Sequence, residues 1–202
     1  MPELAGNIRV FNGDFTVLAD FRILKNSVIF AKNGSGKTTF LKGVAGLLKT
    51  EGELYLCGER IDGKPPEKRG IVYVNQNPDL PIGVGKFAKL MKCEDEAQEV
   101  LGSDFPWKRK LGELSLGQRQ RAVVACSLLS RRPHSVVLLD ESVDNLSDRL
   151  DFLEWVLEVA KKRGRVIIYA TNNPSGLEMF EQFFTLRDRK LLEVESFSSS
   201  TD

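Results

Sequence analysis

Ala31-Lys32-Asn33-Gly34-Ser35-Gly36-Lys37-Thr38 is the stretch on which the rest of the chain turns. It follows the apolar, β-branched run Val28 to Ala31 and leads into Phe40, Leu41, Val44, Ala45 and Leu48, a spacing that predicts a helix with one inward face. A glycine-rich loop between a buried strand and a helix is the context that a phosphate-binding loop requires. Gly34 and Gly36 let the backbone curl so that successive N–H groups turn toward an anion, and the helix dipole starting near Gly36 favours negative charge there. Lys37 is placed to reach β and γ phosphates. Thr38, with Thr39 as second choice, would put a hydroxyl on Mg²⁺, a hard ion that takes oxygen ligands. A glycine-rich turn that merely caps a helix would leave the Lys-Thr pair at this offset unexplained. The whole loop, with Ala31, Lys32, Asn33 and Ser35, is therefore a candidate site for the triphosphate of a nucleotide, with ATP and Mg²⁺ as the expected cofactors.

Three further runs, Ile71 to Val74, Val136 to Leu139 and Val166 to Ala170, are continuous and β-branched like Val28 to Ala31, as expected of parallel strands covered on both faces. Shorter runs at Ile8 to Val10, Phe15 to Leu18 and Leu54 to Cys57, with turn residues between them, predict an antiparallel β layer at the N-terminus. Helices are expected after Gly36, after Asp148 (Leu150, Leu153, Val156, Leu157, Ala160) and after Pro174 (Leu177, Phe180). The fold class is α/β, a mostly parallel central sheet with that antiparallel layer. Residues 77–113 break the alternation with turn residues, a helical stretch at Phe87 to Leu90 and Pro106-Trp107, and read as a short inserted α-helical lobe. Phe183 to Leu186 and Leu191 to Glu195 predict a closing hairpin. Residues 1–195 then make one domain, and 196–202 a polar, frayed tail.

Two other segments carry chemistry. Ser135-Val136-Val137-Leu138-Leu139-Asp140-Glu141 is an apolar strand that ends in adjacent carboxylates. Neighbours at a strand end point differently, so Asp140 suits holding Mg²⁺ through a water and Glu141 suits accepting the proton of an attacking water. Alone, such a pair is an ordinary solvated loop start; the phosphate loop upstream favours catalysis. Leu114-Ser115-Leu116-Gly117-Gln118-Arg119-Gln120-Arg121 opens an apolar helix, and by itself is a capping box with Ser115 at the N-cap and Gln118 three residues on.

Composition narrows the class without naming a function. The 202 residues are 42% hydrophobic and 28% charged, ordinary for a globular protein, and 29 Lys and Arg against 28 Asp and Glu leave no net field to draw in nucleic acid. Cys57, Cys93 and Cys126 form no C-x-x-C pair and read as buried thiols in a reducing cytosol. Met1 to Val10 lacks the apolar core of a signal peptide, and the longest apolar runs are too short to cross a bilayer. A role at a membrane would need another chain to supply the membrane part.

The order of phosphate loop, Gln76 after the strand Ile71 to Val74, the Ser115-Gly117-Gln118 helix start and the Asp140-Glu141 strand resembles the nucleotide-binding subunits of the ABC (ATP-binding cassette) family. The resemblance covers Phe11 to about Asn173. It implies that Phe11 stacks on adenine, that Gln76 is the Q-loop glutamine contacting Mg²⁺ and the attacking water, and that Ser115, Gly117 and Gln118 belong to a signature motif gripping the γ-phosphate held by the opposite subunit. It implies a head-to-tail homodimer or heterodimer with two buried nucleotides, and a transmembrane partner subunit. ATP hydrolysis would then occur on the inner face of the cell membrane. A soluble ABC ATPase that scaffolds or remodels a complex, a catalytically weakened subunit of a heterodimer, and a small-molecule kinase are the alternatives; the last leaves Gln76 and the Ser115 segment unexplained.

The chain departs from the family pattern at several points. Ala31 stands for the first loop glycine, a change expected to be tolerated if φ is negative there. Leu116 stands for the first signature glycine, Ser142 for a proline after the Walker B acids and Ser147 for the D-loop aspartate. Asn172 stands for the switch histidine; the chain's one histidine, His134, precedes the Walker B strand. An asparagine donates a hydrogen bond but cannot become cationic, so turnover is expected to be slow. The lobe is short, Ser115 lying 39 positions after Gln76. Pro78, Leu80, Pro81, Ile82 and Val84 would either line a docking groove there or pack on their own domain.

Overall fold

The continuous apolar runs are strands covered on both faces. In the computed structural model, which describes residues 2–197, the strands are β1 (Leu4–Asn12), β2 (Phe15–Ile23), β3 (Ser27–Phe30), β4 (Thr50–Leu56), β5 (Glu59–Arg60), β6 (Ile71–Val74), β7 (Val136–Asp140), β8 (Val166–Thr171), β9 (Gln182–Arg187) and β10 (Lys190–Val194). The helices are α1 (Lys37–Ala45), α2 (Val84–Met91), α3 (Glu94–Leu101), α4 (Leu116–Leu129) and α5 (Arg149–Lys162). Every residue of β7 and β8 is buried. Side chains alternate across a strand, so Val136 and Leu138 of β7 enter one core with α1, while Val137 and Leu139 enter a second core with α4 and α5.

Among the described residues the strands form one mixed sheet in the order β5-β4-β1-β2-β10-β9-β3-β8-β7-β6. The central ladders β3–β8, β8–β7 and β7–β6 are parallel, and β1 pairs antiparallel with β2 and β4. The N-terminal layer is continuous with the central sheet: a two-residue parallel ladder joins β10 to β2 through Lys190↔Leu18 and Leu191↔Ala19. The closing hairpin forms as β9–β10. Residues 77–113 hold α2 and α3, which pack on α4.

α1 is wedged between the central strands and the N-terminal layer. Its nine residues are too few to be stable as an isolated helix. Phe40, Leu41 and Val44 are fully buried, each worth about 1.5–3 kcal/mol of transfer free energy, so packing holds the helix and thereby sets the loop at its start. Gly43 is required by that approach, because a Cβ there would lie 2.5 Å from the methyls of Val10 on β1.

Three expectations need correcting, and one open alternative divides residue by residue. After Pro174 there is a single 3₁₀ turn at Leu177–Met179, not a helix; Gly176 (φ 81) turns the chain, and only ten residues separate β8 from β9. Leu177 and Phe180 are buried all the same, Phe180 stacking on Tyr169 at 5.8 Å. Cys57 is exposed, since with φ 52 it forms the β4–β5 turn together with Gly58; Cys93 and Cys126 are buried. Phe197 is not frayed but packs edge-on against Phe30 and Phe183; residues 198–202 of the expected tail lie outside the described residues. Of the five apolar residues beside the lobe, Pro78 and Val84 are buried and Ile82 packs on the second core, which leaves Leu80 and Pro81 exposed.

Candidate functional site

A cavity of about 490 Å³ opens at the N-terminus of α1. Asn33, Gly34, Gly36, Lys37, Thr38 and Thr39 line it from the loop, Asp140 and Glu141 from the end of β7, Gln76 from beyond β6, and Asn12 and Phe15 from the β1–β2 hairpin. The loop curls as its glycines allow, with φ 77 at Gly34 and φ 110 at Gly36. Gly36 is doubly constrained, since a Cβ would lie 2.6 Å from Val17 and 3.0 Å from the Phe15 ring. No side chain caps α1, so its first N–H groups face the cavity without a competing acceptor of that kind. Ala31 is buried and is not among the residues with positive φ, so its methyl group is accommodated.

Lys37 is only 5% exposed. Its ammonium donates to the carbonyls of Ala31 (2.8 Å) and Lys32 (3.3 Å) and pairs with Glu141 at 3.3 Å, which offsets the desolvation of a buried charge. The two acids of β7 diverge. Asp140 is buried and accepts from the Tyr73 hydroxyl at 2.8 Å. Burial raises its carboxyl above the usual range, against the Tyr73 hydrogen bond and the nearby Thr38 hydroxyl, which favour the ionised form. Burial, with the Asp140 charge, in turn raises the Tyr73 phenol and keeps it protonated as a donor. Glu141 adopts φ 50, a left-handed conformation uncommon outside glycine, and this bend turns its carboxylate to Lys37 and to the Gln76 amide, which donates at 3.2 Å.

Thr38 and Asp140 bring a hydroxyl and a carboxylate to the same cavity, which Gln76 also lines. Among the described residues no group of three His, Cys, Asp or Glu could cage a metal. Such a sparse oxygen set fits Mg²⁺, which usually keeps waters and substrate phosphates as its remaining ligands.

Other sequence-predicted residues lie elsewhere. Ser115, Gly117 and Gln118 line a separate cavity with Asn145, Leu146 and Ser147. The capping box is formed in both directions, Gln118 N–H to Ser115 Oγ at 3.3 Å and Ser115 N–H to Gln118 Oε1 at 3.2 Å. Asn172 reaches the phosphate loop, its amide donating to Asn33 Oδ1 at 2.8 Å. Phe11 does not line the cavity: strand alternation puts it on the face opposite Val10 and Asn12, with the Lys49 ammonium 5.3 Å from its ring. Phe15 is the cavity's aromatic, and the Arg189 guanidinium lies 4.8 Å from its ring.

Two features escaped the sequence reading. The Asn12-Gly13-Asp14-Phe15 turn was the available signal for Phe15. The buried cluster in which Asp144 accepts from Tyr169 and Thr171 (2.9 Å) and pairs with Arg149 (3.7 Å) left no signal, because an aspartate in a polar loop is unremarked.

A curled loop at a buried helix start, a lysine inside it and two divergent acids at the neighbouring strand end define a phosphate-loop nucleotide-binding domain. The family described as ABC transporter matches residues 20–144. The energy-coupling factor transporter ATP-binding protein EcfA1 of Thermotoga maritima is 37% identical over 193 residues, covering 83% of this chain and 71% of that protein. The molybdate/tungstate import ATP-binding protein WtpC of Thermococcus kodakarensis is 33% identical over 179 residues, 80% of this chain and 52% of that one. Against WtpC the chain thus spans about half the relative's length. A solved nucleotide-free ATP-binding cassette from an ABC transporter shares the fold, with a TM-score of 0.79 at 20% identity over 97% of this chain and 92% of that chain. The chain belongs to the ABC transporter family. Among its described residues no helix is long and apolar enough to cross a membrane.

Proposed function

We propose that this chain is the ATP-hydrolysing subunit of an ABC transporter, driving a separate transmembrane subunit through ATP-dependent dimerisation on the cytoplasmic face of the membrane. The observation that carries this reading is the division of the site: Lys37, Gln76, Asp140 and Glu141 converge on one cavity, while Ser115 and Gly117 line another. One chain therefore offers two unlike halves, and a head-to-tail pair would join each phosphate loop to a partner's α4.

In this reading Lys37 and the N–H groups at the start of α1 bind the triphosphate, and Glu141, oriented by Gln76, accepts the proton of the attacking water. Thr38, Gln76 and, through a water, Asp140 would hold Mg²⁺, which would supply positive charge beside the β and γ phosphates. The 3.3 Å Lys37–Glu141 pair would open as Lys37 turns to phosphate, leaving Glu141 free as base. The names of the relatives, import and energy-coupling factor proteins, favour transport over a soluble scaffold.

Glu141→Gln keeps the hydrogen bond from Gln76 but removes the base. It is expected to bind ATP, to stop releasing phosphate, and to self-associate on ATP addition as read by light scattering. Phosphate release at the wild-type rate would defeat the hydrolytic role, and failure to self-associate would point to a heterodimer. Cosedimentation with a polytopic membrane protein tests the transport role separately.

A second reading, slow turnover, is favoured by the bond from Asn172 to Asn33. An asparagine there holds the phosphate loop without being able to carry a proton. Asn172→His is expected to raise phosphate release; no gain in rate would sink the idea.

A further inference from the structure

Gln120 is fully buried on α4. Its Nε2 donates to the main-chain carbonyl of Gln76 at 2.7 Å, while its Oε1 is buried with no partner. The acceptor decides the orientation of the amide, since only the NH₂ end can face a carbonyl. A methionine would occupy the same volume without an orphaned oxygen, so packing alone does not account for an amide here. The preceding residue reinforces the contact. Arg119 donates to the carbonyls of Leu111 (3.0 Å), Gly112 (3.1 Å) and Leu114 (3.2 Å) and to Asn77 Oδ1 at 2.7 Å. The start of α4 thereby holds residues 76 and 77.

From Gln76 the contacts continue into the cavity. Its side chain donates to Glu141 at 3.2 Å, and the other Glu141 oxygen pairs with Lys37 at 3.3 Å. One unbroken line, Gln120 to Gln76 to Glu141 to Lys37, joins the helix that starts beside Ser115 to the phosphate loop. Gln76 is exposed and lies in the irregular segment after β6, so where its side chain points depends on how its main chain is pinned.

We propose that Gln120 is a positioning residue: by pinning the Gln76 carbonyl it couples the setting of α4 to the orientation of the Gln76 side chain against Glu141. The proposal rests on the hydrolytic reading above. A displacement of α4, as when another chain engages Ser115, would move the glutamine that orients the base.

Gln120→Met keeps length and burial, and removes both the donor and the orphaned oxygen. Its thermal midpoint is expected to match or exceed that of the wild type and its affinity for a non-hydrolysable ATP analogue to stay within about twofold, while kcat for phosphate release falls about tenfold. In a Gln76→Ala background the same substitution is expected to have no further effect on kcat, because the contact it breaks has lost its purpose. Gln120→Leu repeats the test with another shape should the methionine variant fold poorly. An unchanged kcat, an undiminished loss in the Gln76→Ala background, or a parallel fall of stability, affinity and rate would each overturn the proposal. A wild type that releases no phosphate would instead defeat the hydrolytic reading itself, and the proposal with it, whereas an active wild type with an unaffected Gln120→Met defeats the proposal alone.

Discussion

The phosphate loop and the Ser115 segment both end at the N-terminus of a helix, but the two helix starts are built in opposite ways. α1 begins at Gly36, with no side-chain cap, inside a buried wedge of the fold. α4 begins at Ser115 in a completed capping box, with Leu116 exposed beside it. An uncapped start leaves N–H donors without a side-chain acceptor; α2, α3 and α5 share that, and α1 differs from them in having Lys37 and the curled glycine loop beside those donors. A capped start is already satisfied in part, and α4 offers its serine and glycine only to something brought up against it. In the reading proposed above, the difference is the reason that a single chain would bind a nucleotide at α1 and would need a partner to use α4.

The largest test of that contrast pairs one substitution at each helix start. Gly36→Ala puts a methyl 2.6 Å from Val17 at φ 110. It is expected to cost about 1–3 kcal/mol of strain, seen as a lower thermal midpoint, and to abolish ATP binding measured by titration. Ser115→Ala loses a cap worth about 1 kcal/mol. It should leave ATP binding by the single chain intact and remove ATP-dependent self-association in the Glu141→Gln background. Weakened binding by the single chain would break the contrast.

A smaller effect separates two aromatics near α1. Phe15→Ala is expected to lose about 1 kcal/mol of nucleotide affinity through the missing ring stack, and Phe11→Ala to lose little. The reverse ranking in the same titration would restore Phe11 to the stacking role that the family pattern implies.

The smallest lies outside both helix starts and serves as a control. Burial, then the nearby Arg165 charge, lowers the His134 imidazole from 6.5 to about 4. The folded state thus binds this proton less readily than the unfolded chain, so the stability it contributes is present at neutral pH and is lost as pH falls from about 6.5 toward about 4. His134→Gln should flatten that part of the curve of unfolding midpoint against pH and leave ATP affinity alone. A change in ATP affinity would show that β7 transmits strain to the site.

Much of the candidate site was legible because its expected chemistry is local. Gly34, Gly36, Lys37 and Thr38 stand at fixed offsets within one turn of chain, and Asp140 and Glu141 follow a run that is apolar because both its faces are covered. The Ser115–Gln118 box is likewise contained in four residues. Legibility failed where a side chain's direction depends on its register. Phe11 and Phe15 lie on either side of one hairpin turn, and a strand's two-residue period sends Phe11 away from the cavity and leaves Phe15 on it. The helix expected after Pro174 fails for want of length between β8 and β9, a distance set by the sheet.

From residue order alone came the phosphate loop, the paired acids and the α/β alternation, since each rests on backbone freedom, charge or periodicity within a few neighbours. Folding alone decided which groups meet over long separations: Lys37 with Glu141, Gln76 with Gln120, Asn172 with Asn33. Those contacts follow from the parallel pairing of β3, β8, β7 and β6 beside α1 and α4, and no short stretch of chain carries that pairing in its own composition.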